Sequence, residues 1–410
     1  MGGVFVITLA VLVGLVGILV AAAATQRAEV QALTYRVESR RAELLAQSAV
    51  ARAIAAIAND TTPDATSQED EWFTVGDQGS VRFRVGDDSF RMEIVDLSSR
   101  INLNTAPEAQ LQRLPLTTEQ IDSLLDWREA TRTARTEGAK DDYYLDLPKP
   151  YNTALRLLES VDELLLVKGF TPETLYDPPT NTTSSVVLVQ GSSEDQPPLV
   201  DLLASTSAST QTSTAGARIN VNGPALNPPQ LVQLGIPLPV ALQIVQRRGT
   251  FTSIGQVVAL SNARNVQTAM LDRLTTSAAA QVEGKINLNT ATEAVLNSLP
   301  GMTPDVATAI LSRQTSGGFT KLSDVLDVPG LTGQVLQQTV GAFSTQGQRF
   351  SVRIEATVGG RTIYREALIS RDSGTPKCLR WSTPAFSDME TRWNWPTSTT
   401  NETVLVEATK

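Results

Sequence analysis

The chain has 410 residues, 41% of them hydrophobic and 5% aromatic, with a formal net charge of −9. Histidine is absent and Cys378 is the single cysteine. This excludes Ser-His-Asp and Cys-His nucleophiles, histidine bases, histidine metal ligands and an internal disulfide, and the acidic balance argues against a broad electrostatic grip on nucleic acid.

From the N-terminus, Val4 to Ala24 is an apolar run of 21 residues without a charge, long enough to span a bilayer as a helix. Gln26 to Ala58 continues it with no Pro or Gly, and with Val30, Leu33, Val37, Leu44, Leu45, Ala49, Ile54 and Ile57 at helical spacing. Asn59, Asp60 and Pro63 end it. The pattern predicts one helix over 4–58, about 55 residues and roughly 80 Å long at ~1.5 Å per residue. By this segment alone it is either a pilin-type stem or a plain single-pass anchor. Only Met1, Gly2 and Gly3 precede the run, with no basic residue among them; in the stem reading 1–3 is a residual leader and cleavage follows Gly3 or Gly2.

Next come two strands. Val81, Phe83 and Val85 alternate with Arg82 and Arg84, and Phe90, Met92 and Ile94 with Arg91 and Glu93, about a turn at Gly86 to Asp88. The same pattern returns late in the chain, where Phe350, Val352, Ile354 and Ala356 lead through Gly359 and Gly360 into Thr362 to Ile369. The expectation is one antiparallel sheet, from 59–96 plus 347–370, packed on the stem.

Between these strands a motif recurs three times: Arg100-Ile101-Asn102-Leu103-Asn104, Arg218-Ile219-Asn220-Val221-Asn222 and Lys285-Ile286-Asn287-Leu288-Asn289. Each opens a pair of short helices about a tight turn, the helix–hairpin–helix pattern. The asparagines are expected to tie the incoming loop. Thr105 and Thr290 are expected to cap the following helix, with Pro107 in its first turn and Glu108 or Glu293 as capping partners. A DNA-gripping hairpin needs glycines on both sides of its apolar residue so that the backbone reaches a phosphate. Here the turns read Pro115-Leu116-Thr117, Gly169-Phe170-Thr171, Gly235-Ile236-Pro237, Gly301-Met302-Thr303 and Gly330-Leu331-Thr332. Threonine at the last position is an N-cap residue and Pro237 has no donor, so packing against protein is favoured over DNA. The units expected are 97–178, 218–284 and 285–346, with a Ser/Thr-rich linker region over 179–217 whose mobile parts are Thr180 to Ser185 and Ser205 to Ser213. The last segment, 371–410, holds Trp381, Trp393 and Trp395 and reads as a loose tail or as an arm docking on a partner. No nucleophile–base pair, phosphate loop or zinc spacing points to an enzyme.

Taken together, the stem, the stretches Ile101 to Ala106, Leu124 to Arg128, Gly138 to Tyr144 and Glu159 to Gly169, and the second Asn-x-Asn-Thr-Ala unit at 287–291 with the terminal hairpin resemble the K-class minor pseudopilins (GspK) of bacterial type II secretion, in the type IV pilin superfamily. The unit near 218–275 is extra relative to that family. The resemblance implies an α+β fold: a long pilin-like helix and a small antiparallel sheet, interrupted by a large all-α insertion of helix–hairpin–helix (SAM-like) repeats. It implies a non-catalytic subunit anchored by 4–24 in the inner membrane with its bulk in the periplasm, at the tip of the pseudopilus, where it initiates and caps the filament. The partners implied are the I- and J-class minor pseudopilins, the major pseudopilin, the assembly platform and the prepilin peptidase. Processing would fall between Gly3 and Val4. Pilins carry Glu at mature position five; here that position is Thr8, or Ile7 after the earlier cut, and a tip subunit needs no such carboxylate. The class is also associated with calcium, which Asp126, Asp141 and Asp142 would hold; the same residues also read as a solvated acidic loop. The alternatives are a membrane-anchored DNA receptor of the competence type and the tip pilin of a related type IV pilus.

Overall fold

The computed structural model describes residues 2–179, 188–189, 196–213, 216–372, 374–384, 386, 389–396 and 401–406; the predicted Thr180 to Ser185 linker lies outside them. Gly2–Ala58 forms a single helix, α1, of 57 residues. Among the described residues it is the one helix long and apolar enough to cross a membrane. Its distal third packs on the sheet through Ala42, Leu45, Ala46, Ala49, Val50, Ala53, Ala56 and Ile57, all buried. Alanine dominates this face because a small side chain lets the helix axis come close to the strands. The apolar stripe expected from Val30 onward is thus shorter on the sheet side: Val30, Leu33, Val37 and Leu44 are exposed on α1.

The sheet has six strands: β1 (Val81–Val85), β2 (Asp88–Asp96), β3 (Arg349–Val358), β4 (Arg361–Ser370), β5 (Lys377–Ser382) and β6 (Asn401–Val406), in the order β5-β4-β3-β2-β1-β6. The two halves of the sequence meet at β2–β3, antiparallel, with Ile94 opposite Val352 and Met92 opposite Ile354. Period-two alternation sends Phe83, Phe90, Met92, Ile94, Phe350, Val352 and Ile354 toward α1, with Trp72 completing the core.

The C-terminal segment corrects the expectation of four antiparallel strands and a tail or partner-docking arm. It docks on the chain's own sheet, adding β5 at one edge and β6, parallel to β1, at the other. Between them it crosses the outer face. Arg91, only 1% exposed, pairs there with Glu355 and with Glu390 (2.7 Å) and lies under Trp395, while Arg353 pairs with Glu93 and Asp201 (3.2 Å each) under Trp393. The arm is held because the polar alternate residues of β2 and β3 are charged groups that it buries in pairs. Gly79 makes room for it: a Cβ there would lie 2.3 Å from the Trp395 ring.

Between β2 and β3 the chain builds three helical units on one plan. Each opens with an Ile-Asn pair and closes with a two-residue parallel strand laid beside it: Ile101–Asn102 with Leu203–Ala204, Ile219–Asn220 with Leu274–Thr275, and Ile286–Asn287 with Phe343–Ser344. The first unit therefore runs to Ala204, beyond the expected end at 178. Ser205 to Ser213 is not a mobile linker where it is described: Ser207 and Ser209 are buried, and Ser209–Thr210 pairs with Gln281–Val282.

The asparagines explain the motif. The first of each pair turns the chain: its Oδ1 accepts from the backbone N–H two residues on, at Asn104, Asn222 and Asn289. The second crosses the unit, with Nδ2 donating to a backbone carbonyl and Oδ1 accepting from the N–H of the same residue: Asn104 with Leu158, Asn222 with Phe251, Asn289 with Phe319. An amide alone offers donor and acceptor side by side in this way.

Three of the hairpin threonines cap as expected, Thr117 over Thr118–Arg128, Thr171 over Pro172–Tyr176 and Thr303 over Pro304–Thr315, whereas Thr332 precedes Gly333–Thr339 without a side-chain cap bond. Thr105 and Thr290 do not. The Asn turn closes with Ala106 and Ala291 bonding back to Asn102 and Asn287, so the helices begin later, after Pro107 and Thr292.

Candidate assembly surfaces and the acidic loop

The joint between the body and the sheet is built on Asp96, the last residue of β2. Its buried carboxylate accepts from Asn287 Nδ2 and Thr290 Oγ1 (2.8 Å each) and from Ser98 N–H (2.8 Å). Burial pushes its pKa up, and these bonds, with Arg371 nearby, act against that. Around it Asn287 also donates to Thr66 O, Gln346 Nε2 to Asp64, and Arg371 pairs with buried Asp60. Residues 60–66 directly follow the last turn of α1. The helical body is therefore fastened at the distal end of the stem, whereas the β3–β4 turn lies back along it, Gly359 against Glu38.

At the other end of α1, Gly3, Val4, Ile7 and Thr8 are all helical. Ile7 is exposed, and Thr8 Oγ1 donates to the Phe5 carbonyl (2.9 Å). Neither position carries a charge.

The residues proposed for calcium do not converge. Asp126 is fully buried and bound by the chain itself: Arg135 Nη1 reaches Oδ1 and the Arg135 N–H reaches Oδ2 (2.9 Å each), and a Cβ on Gly138 would collide with the carboxylate. Arg135 also pairs with Glu129 (2.7 Å), which lowers the Glu129 pKa. Lys140 donates to the carbonyls of Asp126 and Glu129, and burial lowers its pKa. Asp141 accepts from the Thr153 N–H (2.8 Å), and Asp142 is exposed. No group of three or more His, Cys, Asp or Glu suited to a metal exists among the described residues. Two cations of the chain hold this loop, so the residues do not fit a calcium cage. Spacing alone could not show this, because Arg135 lies in the loop between the acidic residues.

The hairpin turns are mostly occupied too. A Cβ on Gly301 would strike Gln338, one on Gly169 would press on Gln120 and Glu119, and one on Gly330 would touch Val306; only Gly235 faces open space. Sequence reasoning missed a cavity of about 350 Å³ between the first unit, the outer face of the sheet and the C-terminal arm. Arg353, Glu366, Asp162, Tyr176 and Trp393 line it, and Tyr176 OH donates to Asp162 (2.6 Å).

A stem helix, a sheet laid on its distal part and a helical body inserted between two central strands define a pilin-like α+β subunit with an insertion. Comparison with known proteins agrees. Residues 99–177 match the family model of the type II secretion system (T2SS), protein K, and residues 281–344 match the helix-hairpin-helix motif. A chain of the crystal structure of the GspK-GspI-GspJ complex from the enterotoxigenic Escherichia coli type 2 secretion system shares the fold, with a TM-score of 0.51 and 15% identity over 86% of this chain and 98% of that one. No curated protein matches by sequence. One domain of the chain thus matches the protein K family of type II secretion, and the fold as a whole resembles that of a chain in the GspK-GspI-GspJ complex.

Proposed function

We propose that this subunit initiates and caps the pseudopilus from the inner membrane, with its body in the periplasm, in complex with I- and J-class minor pseudopilins. The observation that carries the reading is the attachment of the body at the distal end of α1, through Asp96, Thr66 and Asp64. A helical body fastened at that end would stand in the way of a subunit stacked above it. The neutral residues at Ile7 and Thr8 support the same placement. A carboxylate in the bilayer needs a cationic partner, and a first subunit has none above it to supply or require one. The solved relative is itself a complex of three such proteins.

The test is filament labelling. Antibody against 97–346 should mark one end of each pseudopilus, and the membrane-extracted full chain should bring down both the I- and J-class subunits. Label along the shaft, or recovery of neither partner, would refute it. Processing at Gly3 and Val4 predicts that N-terminal sequencing of the extracted protein starts at Val4. The helix-hairpin-helix match keeps a DNA receptor as the second reading. The packed hairpins at Gly169, Gly301 and Gly330 disfavour it, and a salt-dependent DNA shift by the full chain would restore it.

A further inference from the structure

The residue before each Ile-Asn opening is basic: Arg100, Arg218 and Lys285. Two of the three have a visible duty. Arg100 Nη1 donates to the Val200 carbonyl (3.0 Å), and Lys285 Nζ donates to the Gly341 carbonyl, each at the helical turn that closes its unit. Arg218 differs. Its guanidinium makes no hydrogen bond or ion pair among the described residues, and its Nε is buried without a partner. Asp272 and Asp64 attract it only from beyond ion-pair distance.

Arg218 and Lys285 line one small cavity of about 30 Å³ together with Ser209, Thr210, Ser344 and Gln346. Among the described residues no carboxylate lines it. The hydroxyl protons around it are committed elsewhere: Ser209 and Ser344 donate to the Gln346 carbonyl, and Thr210 to Gln346 Oε1. The donors left over are the guanidinium of Arg218 and two of the three ammonium protons of Lys285. The two cations also oppose each other: burial lowers Lys285 to about 8, and the charge of Arg218 adds to that. Unpaired like charges beside a shared cavity are costly, and a space of this size admits a water or one monatomic ion.

We infer that this cavity binds a small inorganic anion of halide size, held between Arg218 and Lys285. Arg218 opens the second unit and Lys285 the third, and Ser344 to Gln346 lead into β3. The bound anion thus fastens two units to each other at the root of the sheet.

The probe is sodium bromide against sodium gluconate at equal ionic strength, with thermal unfolding of the full chain in detergent. The melting temperature of the wild type should rise saturably with bromide. R218Q should lose that response, yet melt in gluconate at or above the wild type, because it removes a half-buried charge that has no ion-pair partner among the described residues and stands beside a second cation. A merely structural Arg218 would make R218Q less stable in both salts. K285R keeps the charge and should keep the bromide response. Equal responses in wild type and R218Q, no saturable response in the wild type, or bromide-soaked crystals without an anomalous peak between Arg218 and Lys285 would each overturn the proposal.

Discussion

Asp96 and Asn287 meet 2.8 Å apart in a buried joint, so a single carboxylate ends β2 and anchors the opening strand of the third helical unit. The contact is charge-assisted and sealed from water, where an unmade bond costs more than a made one contributes. N287A is expected to cost about 1–3 kcal/mol in urea unfolding of the full chain. N287D sets a second carboxylate against Asp96 and should cost more, about 3 kcal/mol or above. Equal stability of the two variants would show that Asp96 is not anchored by this pair.

The C-terminal arm rests on Gly79, whose φ of +80° and contact with Trp395 leave no place for a side chain. G79A should lift the arm at a cost of about 1–3 kcal/mol. Tryptophan emission should shift red, and limited proteolysis should cut within 372–406 sooner than in the wild type. Unchanged emission and cleavage would mean that the arm does not rely on this seat.

The loop of Asp126 is predicted to be self-sufficient. Calcium should leave the melting temperature of the full chain where it is. R135Q should lower stability by about 2–3 kcal/mol, at or below the lower end of the range for a broken buried pair, because the Arg135 side chain is partly exposed and the main-chain N–H at 135 still reaches Asp126. A calcium-dependent rise in the wild type would contradict the reading.

Lys285 sets a pH dependence. Its folded pKa, about 8, lies below the ordinary 10.5, so between these values the unfolded chain holds the proton more readily. Stability must therefore rise with pH across that window and be lowest below it, where Lys285 is charged in both states. Arg218 is the charge that acts on it, and the Gly341 carbonyl is its hydrogen-bond acceptor. In gluconate the melting temperature should climb between pH 8 and 10 more steeply for the wild type than for K285M. Parallel curves would remove Lys285 as the cause.

Much of this molecule was legible in its residues. Local periodicity determined the stem, the paired hairpins and the three Ile-Asn openings, because each depends on neighbours a few positions away. Thr117, Thr171 and Thr303 were readable as caps for the same reason. What only the tertiary structure decided depends on partners far off in sequence. Asp126 looked like a cation ligand until Arg135 was seen to occupy it. Ser205 to Ser213 looked like a linker, although Ser207 and Ser209 are buried at the joint. Lys377–Ser382 and Asn401–Val406 held no strand pattern strong enough to read; they became strands because the edges of a sheet built from residues 81–96 and 349–370 were there to receive them. Backbone pairing and burial, unlike helical spacing, belong to both partners, and one of the two is always elsewhere in the chain.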